Sequence, residues 1–199
     1  GEYVYDARLR DPDEGREYSS LDQSTDKAAE TMRAIEKNKS DYAALSMMYR
    51  HDPNRRLEVR KSHIHNWGLF TRTPFLKNEM MVEYIGERIR QCVADKREAS
   101  YEKEGVGSCY LFRLDKDVIV DATRTGGMAR FMNHCCEPNA YAKVINTSNS
   151  DDPETKHIII FAARDIQFGE EITYDYKFPI EEQKLSCYCG ASRCRGSMN

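Results

Sequence analysis

A cysteine cluster near the end of the sequence restricts the possible fold more than any other feature. Cys187, Cys189 and Cys194 lie within eight residues of one another. Three thiolates at this spacing are typical of a tetrahedral zinc site, which requires four ligands. The chain has seven cysteines, and an odd number with three gathered at one end favours a metal site over a disulfide framework. A distant segment must therefore supply the fourth ligand and hold the tail in place.

One segment in the middle of the chain is suited to supply that ligand. Asn133, His134, Cys135 and Cys136 occupy consecutive positions, and Pro138 follows shortly after them. Because proline ends a helix, these side chains are expected to lie in an exposed loop. The residues alone leave open whether Cys135 or Cys136 binds the metal. They also leave open a nucleophilic Cys-His site at the same place.

The N-terminal part differs from the rest, since residues 1–25 are mostly charged or small and are predicted to form a disordered lead-in. Residues 26–56 are predicted to form a helical arm, because apolar residues recur there about every 3.5 positions. Ser40 is the candidate for a break, and Asp52 before Pro53 ends the helical pattern. The arm either packs on the main domain or is held by a partner protein. Its apolar positions are Met32, Ile35, Tyr42, Leu45, Met48 and Tyr49.

From Leu57 onward the apolar period changes to two, which is the period of β-strands. Turn residues separate the strand candidates at short intervals, which predicts a mainly β domain of several small sheets with few short helices at residues 57–178. One charged helix interrupts the strands at about residues 91–104, and residues 179–199 form the cysteine-bearing tail. The strand candidates are Leu57–Ile64, Gly68–Phe70, Met80–Ile89, Tyr110–Arg113, Val118–Asp121, Tyr141–Asn146, His157–Ala162 and Ile172–Tyr176.

The charge balance and the apolar pattern exclude several kinds of partner. Thirty basic against thirty-three acidic residues leave a net charge of -3, so direct sequence-specific DNA binding is not expected and a basic peptide is an easier partner. The sequence has no run of about eighteen apolar residues that would predict a membrane span, and no signal peptide is recognisable. The free thiols suit a reducing compartment.

Aromatic residues on and between the strand candidates indicate a ligand site. Tyr110, Tyr174 and Tyr176 are placed on predicted strands, where packing alone often explains a tyrosine. A narrow apolar slot rimmed by hydroxyl groups, however, is what recognises an extended lysine or methylammonium chain. Trp67 lies in a turn between strands, and both a buried packing role and a cofactor contact are open for it.

Together these motifs resemble the SET-domain protein lysine methyltransferases that carry a post-SET zinc tail. The resemblance covers the chain from about Arg60 to its end and implies a SET-domain fold and an enzyme. Within the family, the sequences of these motifs resemble those of the trithorax and mixed-lineage-leukaemia class, the COMPASS-type catalytic subunits. That class methylates the lysine at the fourth position of the histone H3 tail. The blocks that carry the resemblance are Tyr84–Arg90, Arg130–Asn139, Gly169–Tyr176, Thr173–Ile180 and Cys187–Cys194.

The resemblance also implies a cofactor, S-adenosylmethionine, and one structural zinc ion. It selects Cys136 over Cys135 as the fourth ligand, so that the implied set is Cys136, Cys187, Cys189 and Cys194. Members of the family often have serine at position 135, which makes Cys135 a spare thiol beside the metal. The residues implied to contact the cofactor are His65, Trp67, Tyr110, Asn133, His134, Tyr188 and Met198.

Three tyrosines are implied to carry the chemistry, an in-line displacement that depends on positioning. Tyr176 is the hydroxyl that orients the amine, and Tyr110 lines both the cofactor site and the lysine channel. Tyr174 occupies the position that sets the degree of methylation; its hydroxyl crowds the amine, so chiefly monomethylation is expected. Desolvation beside the positive sulfur lowers the pKa of the substrate lysine and replaces a dedicated base. His134 is therefore expected to brace the cofactor pocket and not to act as the base.

The implied partners are a histone H3 tail, a WD-repeat scaffold and other COMPASS-type subunits, with the nucleus and chromatin as the location. The helical arm and the charged helix are the expected contact surfaces, and the chain is expected to be the C-terminal piece of a longer protein. The alternative is a catalytically silent SET-like zinc module that binds histone tails or scaffold proteins. Such a module has no need of the donor pocket that Asn133, His134 and Tyr176 would form.

Overall fold

The structure is a computed structural model and describes residues 23–148, 152–180, 182 and 184–199. Residues 1–22 of the predicted lead-in therefore lie outside the described residues. Within the described ranges, no helix combines the length and the apolar character that a membrane crossing requires.

The N-terminal arm is a long helix, α1 (Gln23–Arg50), followed by a single helical turn, α2 (Pro53–Arg56). The predicted break at Ser40 is wrong: Ser40 is exposed, and a polar residue on the exposed face of a helix costs little. The Asp52 carboxylate accepts the Asn54 backbone N–H at 3.1 Å and begins α2.

The C-terminal half of α1 packs on the β domain. Leu45 and Met48 are buried in a cluster with Ile145, Ile159 and Phe161. Tyr42 and Tyr49, which the helical spacing assigns to the same face, are 61% and 50% exposed, so the apolar stripe is narrower than the sequence predicts. Even so, Tyr49 contributes a contact, because its hydroxyl donates to the carboxylate of Glu83.

The β domain consists of three small sheets with one inserted helix. The first sheet has the order β1-β2-β10-β7, the second β3-β9-β8 and the third β4-β6-β5. All strand pairs are antiparallel except β7 with β10, which is parallel. The elements are β1 (Leu57–Lys61), β2 (Trp67–Thr71), β3 (Met80–Glu83), β4 (Gly86–Arg90), α3 (Gln91–Lys103), β5 (Leu111–Arg113), β6 (Val118–Gly126), β7 (Asn133–His134), β8 (Ala140–Asn146), β9 (Lys156–Ala162) and β10 (Glu171–Tyr174).

The structure corrects three of the sequence-based strand assignments. The run Met80–Ile89 is two strands that belong to different sheets, and the chain changes sheets at Tyr84 and Ile85. Strand β7 has only two residues and was not predicted. Tyr110 lies just before β5 and Tyr176 lies after the end of β10, so neither is on a strand.

One continuous apolar core joins the three sheets. Burying each large side chain of this kind stabilises the fold by about 1.5 to 3 kcal/mol. A second cluster fixes α3 on the third sheet through Ala94, Tyr101 and Ile119. The largest side chains of the main core are Leu57, Leu69, Phe75, Met81, Phe112, Met132, Ile160, Ile166 and Ile172.

A buried carboxylate completes the attachment of α3. The Asp121 side chain is 1% exposed and accepts the Arg97 guanidinium at 2.9 Å and the Tyr101 hydroxyl at 2.8 Å. It also accepts the Thr123 backbone N–H at 2.9 Å. Because a buried charge is costly unless it is paired and hydrogen-bonded, these three donors are what permits Asp121 at this position.

Candidate active site and metal centre

Two strand ends bring the central polar residues together. In the parallel pair of β7 and β10, Asn133 lies opposite Thr173 and His134 opposite Tyr174. Asn133 and His134 are both buried. A short 3-10 turn, Met128–Phe131, precedes β7 and directs it against β10. The segments at residues 133 and 174, which are far apart in sequence, thereby form one site.

The Asn133 amide connects β7 to the loop between β1 and β2. Its Nδ2 donates to the carbonyl oxygens of His65 and Trp67 at 3.3 and 3.0 Å and to Glu171 Oε1 at 2.7 Å. A Cβ atom at Gly68 would lie 2.3 Å from the same Glu171 oxygen, so a larger residue here would displace the carboxylate that Asn133 contacts. The backbone of residues 65 and 67 is thus held at the end of β7.

Trp67 belongs to the surface of this site and not to the core. Its side chain is 45% exposed, which makes the packing alternative for Trp67 wrong. The Lys61 ammonium group lies 4.2 Å from the centre of the indole ring. His65 is exposed in the same loop. Both residues are therefore accessible to a ligand beside Asn133, and their role as cofactor contacts stays a prediction.

His134 contacts a neighbour through each ring nitrogen. The Tyr176 backbone N–H donates to Nδ1 at 3.1 Å, which places the ring proton on Nε2, and Nε2 lies 3.5 Å from Cys136 Sγ. Burial lowers the pKa of His134 below its ordinary value, although the Asp175 carboxylate acts in the opposite direction. A neutral ring with both nitrogens engaged can brace the site, and it has no free position from which to act as a base.

A run of aromatic rings leads from Tyr84 to the end of β10. The ring centres are 5.0 Å apart for Tyr84 and Phe112, 5.9 Å for Phe112 and Tyr174, and 4.9 Å for Tyr174 and Tyr176. The Tyr176 hydroxyl donates to the Met132 carbonyl at 2.8 Å. The rings form an apolar wall that carries three hydroxyl groups.

Two of these hydroxyl groups have no partner within the described chain, namely those of Tyr84 and Tyr174. Burial raises the pKa of both well above the ordinary value, so both are protonated. An unpaired buried hydroxyl costs about 1 to 3 kcal/mol. A polar group of a ligand would offset that cost.

A cavity of about 240 Å³ opens beside Tyr174. Tyr174, Asp175 and Lys177 form one side of it, and residues at the start of β8 form another. Its walls are mostly carbon and include Phe112, which packs against Tyr174 in the aromatic run. The size and the lining suit an extended alkyl chain with one polar end.

Three predicted site residues lie outside this central group. Tyr110 packs edge-on against Phe131, with 6.0 Å between ring centres, and the Arg130 guanidinium lies 5.8 Å from its ring. Tyr188 is in the tail and is 71% exposed. Met198 is also in the tail, where its backbone N–H donates to the Leu185 carbonyl at 2.8 Å. The cofactor contacts assigned to these residues stay predictions.

The tail brings its three cysteines to Cys136. The sulfur atoms of Cys136, Cys187, Cys189 and Cys194 all lie within 4.8 Å of one another, and Cys136 Sγ is 3.7 Å from Cys187 Sγ and 3.9 Å from Cys194 Sγ. In a tetrahedral zinc site with metal–sulfur distances of about 2.3 Å the sulfurs are about 3.8 Å apart. The arrangement therefore has the dimensions of a four-thiolate metal site.

The close spacing of these thiols also affects their ionisation. Burial raises the pKa of Cys187, whereas backbone N–H groups outweigh burial at Cys189 and lower its pKa to about 6. Four sulfurs this close cannot all be thiolates unless a positive ion lies between them. The donor set fits a divalent metal ion.

Cys135 lies outside the four-sulfur group. It is buried, its N–H donates to the Tyr174 carbonyl at 3.1 Å, and its sulfur accepts the Glu137 N–H at 3.4 Å. Burial raises the pKa of this thiol. Both cysteines follow the end of β7, and the Cys135 thiol also contacts Cys189 of the tail, but Cys136 is the one that belongs to the group of four sulfurs within 4.8 Å of one another.

Sequence reasoning missed Tyr84 and Phe112 as residues of the site. Tyr84 lies where the chain passes from one sheet to another, and Phe112 is the middle residue of β5. The sequence gives one weak signal, the excess of twelve tyrosines over seven phenylalanines. This excess does not show which tyrosine hydroxyls lack partners.

Three small sheets, a strand-end pocket of Asn133, His134 and Tyr176, and a cysteine tail define the class of protein. The SET domain family matches residues 66–177, and the chain belongs to this family. The resemblance predicted from the sequence is confirmed.

The chain is similar to curated relatives of one kind. It is 53% identical to "Histone-lysine N-methyltransferase SETD1B" of Xenopus tropicalis over 73% of this chain and 7% of the relative. It is 52% identical to SETD1A of Homo sapiens and 54% identical to set1 of Dictyostelium discoideum, again over 73% of this chain and over 8% and 9% of the relatives. The chain thus spans less than a tenth of the length of these relatives.

A solved structure supports the fold. The crystal structure of KRYPTONITE in complex with mCHG DNA and SAH aligns with a TM-score of 0.59 and 32% sequence identity, over 72% of this chain and 29% of that chain. The mainly β architecture of several small sheets, predicted from the sequence, is confirmed.

Proposed function

We propose that this chain transfers a methyl group from S-adenosylmethionine to a lysine side chain of a histone. The observation that carries the proposal is the buried, unpartnered hydroxyl of Tyr174 beside an aromatic cavity, with a second such hydroxyl, that of Tyr84, on the ring next to Phe112. A lysine amine is a hydrogen-bonding group on a long apolar stem, and it complements both features. The relatives named as histone-lysine N-methyltransferases support the same reading.

The residues present fit the two groups that this function requires. His65 in the loop after β1 and Trp67 at the start of β2 expose an imidazole and an indole ring beside the Asn133 amide, which suits a cofactor with an adenine ring and an amino-acid end. Tyr110, His134, Tyr188 and Met198 are the further residues proposed to contact it. Cys136, Cys187, Cys189 and Cys194 would hold one zinc ion, whose role is structural because four thiolates leave no open position.

The chain's own residues position and desolvate the substrate. When bound, S-adenosylmethionine supplies an electrophilic methyl group on a positive sulfur. Phe112 and Tyr174 exclude water from the lysine stem, and desolvation lowers the pKa of the lysine so that its amine is neutral. The Tyr176 hydroxyl, fixed near the Met132 carbonyl, orients the amine. His134 holds the backbone of Tyr176 in place.

The finer parts of the proposal concern the substrate, the product and the partners. We propose the lysine at the fourth position of histone H3 as the acceptor. Monomethylation by the isolated chain is the expected product, because the Tyr174 hydroxyl occupies space beside the amine. In the nucleus, on chromatin, a WD-repeat scaffold and other COMPASS-type subunits are the proposed partners. Contacts through α1 and α3 would raise an activity that is weak in isolation.

Radiolabel transfer tests this function. The chain is incubated with methyl-labelled S-adenosylmethionine and a peptide of the histone H3 tail, and mass spectrometry locates the label. Label is expected on the wild-type peptide and not on one with arginine at the fourth position. Label at another lysine would support methyl transfer by this chain and contradict the fourth position as the acceptor. If no peptide is labelled but the H3 tail still binds, the chain is the silent zinc module that was the alternative.

A further inference from the structure

The end of the metal-binding tail contacts the residue just after β10 through one arginine. Arg195 follows the metal-site residue Cys194, and its Nη2 donates to Asp175 Oδ1 at 2.9 Å. Its backbone N–H donates to Cys136 Sγ at 3.4 Å. Asp175 lies between Tyr174 and Tyr176 and lines the cavity. A single residue thus joins the sulfur cluster to the residue between two proposed catalytic tyrosines.

The Asp175 carboxylate also controls the backbone that follows Tyr176. The same Oδ1 atom accepts the Lys177 backbone N–H at 3.1 Å. Lys177 has a positive φ of 51°, a conformation that side-chain-bearing residues adopt only at some cost. The carboxylate stabilises this turn, and the guanidinium of Arg195 holds the carboxylate toward it.

Tyr176 is therefore fixed from two directions. His134 Nδ1 accepts the Tyr176 N–H at 3.1 Å from the side of β7, and the turn at Lys177 fixes the next residue from the side of the tail. A hydroxyl that must orient an amine depends on such constraints, because small displacements reduce the rate strongly.

The tail has a second ion pair that lacks this connection. Arg193 Nε donates to Glu137 Oε1 at 2.6 Å, on the other side of Cys194 in sequence. Glu137 also accepts the Ser192 hydroxyl at 3.1 Å. Both pairs attach the tail to the domain, and both arginines are more than half exposed, so each contributes little to overall stability. Only the Arg195 pair reaches the residues beside Tyr176.

We propose that Arg195 and Asp175 are positioning residues that transmit the ordered state of the metal-bound tail to the Tyr176 hydroxyl. This inference rests on the proposed function, because the role of Tyr176 is part of it. The pair sets the rate of transfer and not the binding of either substrate.

Matched substitutions of the two arginines test the proposal. In Arg195→Gln, kcat is expected to fall about tenfold while the KM values for S-adenosylmethionine and peptide stay within about twofold. In Arg193→Gln, all three are expected to stay within about twofold, and both variants should retain one zinc ion by mass spectrometry. Arg195→Lys, which keeps the charge, should recover part of the rate. Equal losses of kcat in the two glutamine variants would overturn the proposal.

A double-mutant cycle and an activity-independent measurement complete the test. Asp175→Asn keeps an oxygen for the Lys177 N–H but removes the charge, and combining it with Arg195→Gln should cost no more than the worse single variant. Hydrogen exchange at the amides of Tyr176 and Lys177 should accelerate in Arg195→Gln and not in Arg193→Gln. Unchanged hydrogen exchange in both glutamine variants would contradict the positioning role of Arg195 and Asp175. If the wild type transfers no methyl group, the proposed function fails, and the exchange comparison still decides whether the pair positions Tyr176.

Discussion

The strand ends and the tail, which together form the site, are stabilised in different ways. Asn133, His134 and Tyr174 are buried residues of paired strands on a continuous apolar core. In the described part of the tail, residues 184–199, no residue is buried and the only pairing is an isolated bridge between Ser186 and Ser197. The first region derives its order from burial, and the second from four sulfurs and two ion pairs.

This difference separates folding from completion of the site. A core of this kind does not need the metal, whereas a segment without buried apolar surface cannot offset the entropy of ordering its chain. The protein can therefore be folded and yet inactive. We therefore expect three kinds of change to be measured in three different ways. Loss of the metal should change the order of the tail, loss of a hydroxyl should change the reaction, and loss of a buried charge should change the stability of the core.

Removal of the metal should produce the largest effect. We expect Cys189→Ser to abolish detectable methyl transfer, because the remaining three thiolates bind zinc too weakly to order a tail that has no core of its own. Zinc content by mass spectrometry should fall, and hydrogen exchange should accelerate in residues 187–198 while β9 stays protected. Cys92→Ser removes an exposed thiol on α3 and is the matched control. Loss of protection in β9 as well would show that tail and core are one unit.

Loss of the Tyr176 hydroxyl should abolish the reaction without disturbing either region. We expect kcat of Tyr176→Phe to fall by about a hundredfold or more, since the hydroxyl that orients the amine is gone. Unfolding should become easier by only about 1 kcal/mol, because the Met132 carbonyl loses one hydrogen bond. Calorimetric titration with S-adenosylhomocysteine should give an almost unchanged affinity. Equal losses of affinity and kcat would mean that Tyr176 is structural, and Tyr42→Phe on the exposed face of α1 controls for the loss of a hydroxyl.

The sequence predicts the core of this molecule better than it predicts the joints between its parts. Strands rich in apolar and β-branched residues, such as β8 and β9, lie within one residue of their predicted bounds. Strand β7 was missed because two residues carry no periodicity, and its parallel partner is forty positions away. The prediction of a break at Ser40 is wrong because sequence pattern does not show which face of a helix meets solvent.

Site residues could be predicted where their spacing or the family resemblance identified them. The spacing of the three tail cysteines identifies them as metal ligands, but only the resemblance selects Cys136. Two adjacent thiols just after β7 both lie near the tail, and sequence alone does not show which of them completes the four-sulfur group. Tyr84 could not be found from its neighbours in sequence. Its unpaired hydroxyl results from a change of sheet that brings it against Phe112.

Loss of the buried Asp121 charge should weaken the core and leave the tail intact. Burial raises the pKa of Asp121, but hydrogen bonds from Arg97, Thr123 and Tyr101 outweigh it and hold the pKa below the ordinary value. A lowered folded-state pKa contributes stability that is complete above the unfolded value of about 3.9 and is lost as the pH falls through the folded-state pKa.

Asp121→Asn should therefore unfold at a temperature several degrees lower at pH 7, equivalent to about 1 to 2 kcal/mol, and show a shallower loss of stability below about pH 4. Circular dichroism at a series of pH values measures both changes. Zinc release, followed with a chelating dye, should occur at the same pH as in the wild type. Asp117→Asn, at an exposed acidic residue, should behave like the wild type. Parallel stability curves for Asp121→Asn and wild type would contradict the prediction.

The smallest change should come from the Tyr174 hydroxyl, and it should appear in the product and not in the rate. We expect Tyr174→Phe to raise the proportion of dimethyl and trimethyl lysine several-fold, about 1 kcal/mol, because the space beside the amine increases. Stability should stay constant or rise, since the hydroxyl is buried without a partner. Tyr84→Phe removes the other such hydroxyl and is the matched control for stability. Mass spectrometry of the peptide measures the product ratio, and an unchanged ratio would mean that Tyr174 does not limit the degree of methylation. A changed product ratio together with unchanged hydrogen exchange in the tail would show that the buried end of β10 sets the degree of methylation. The metal-dependent tail would then complete the site without controlling the product.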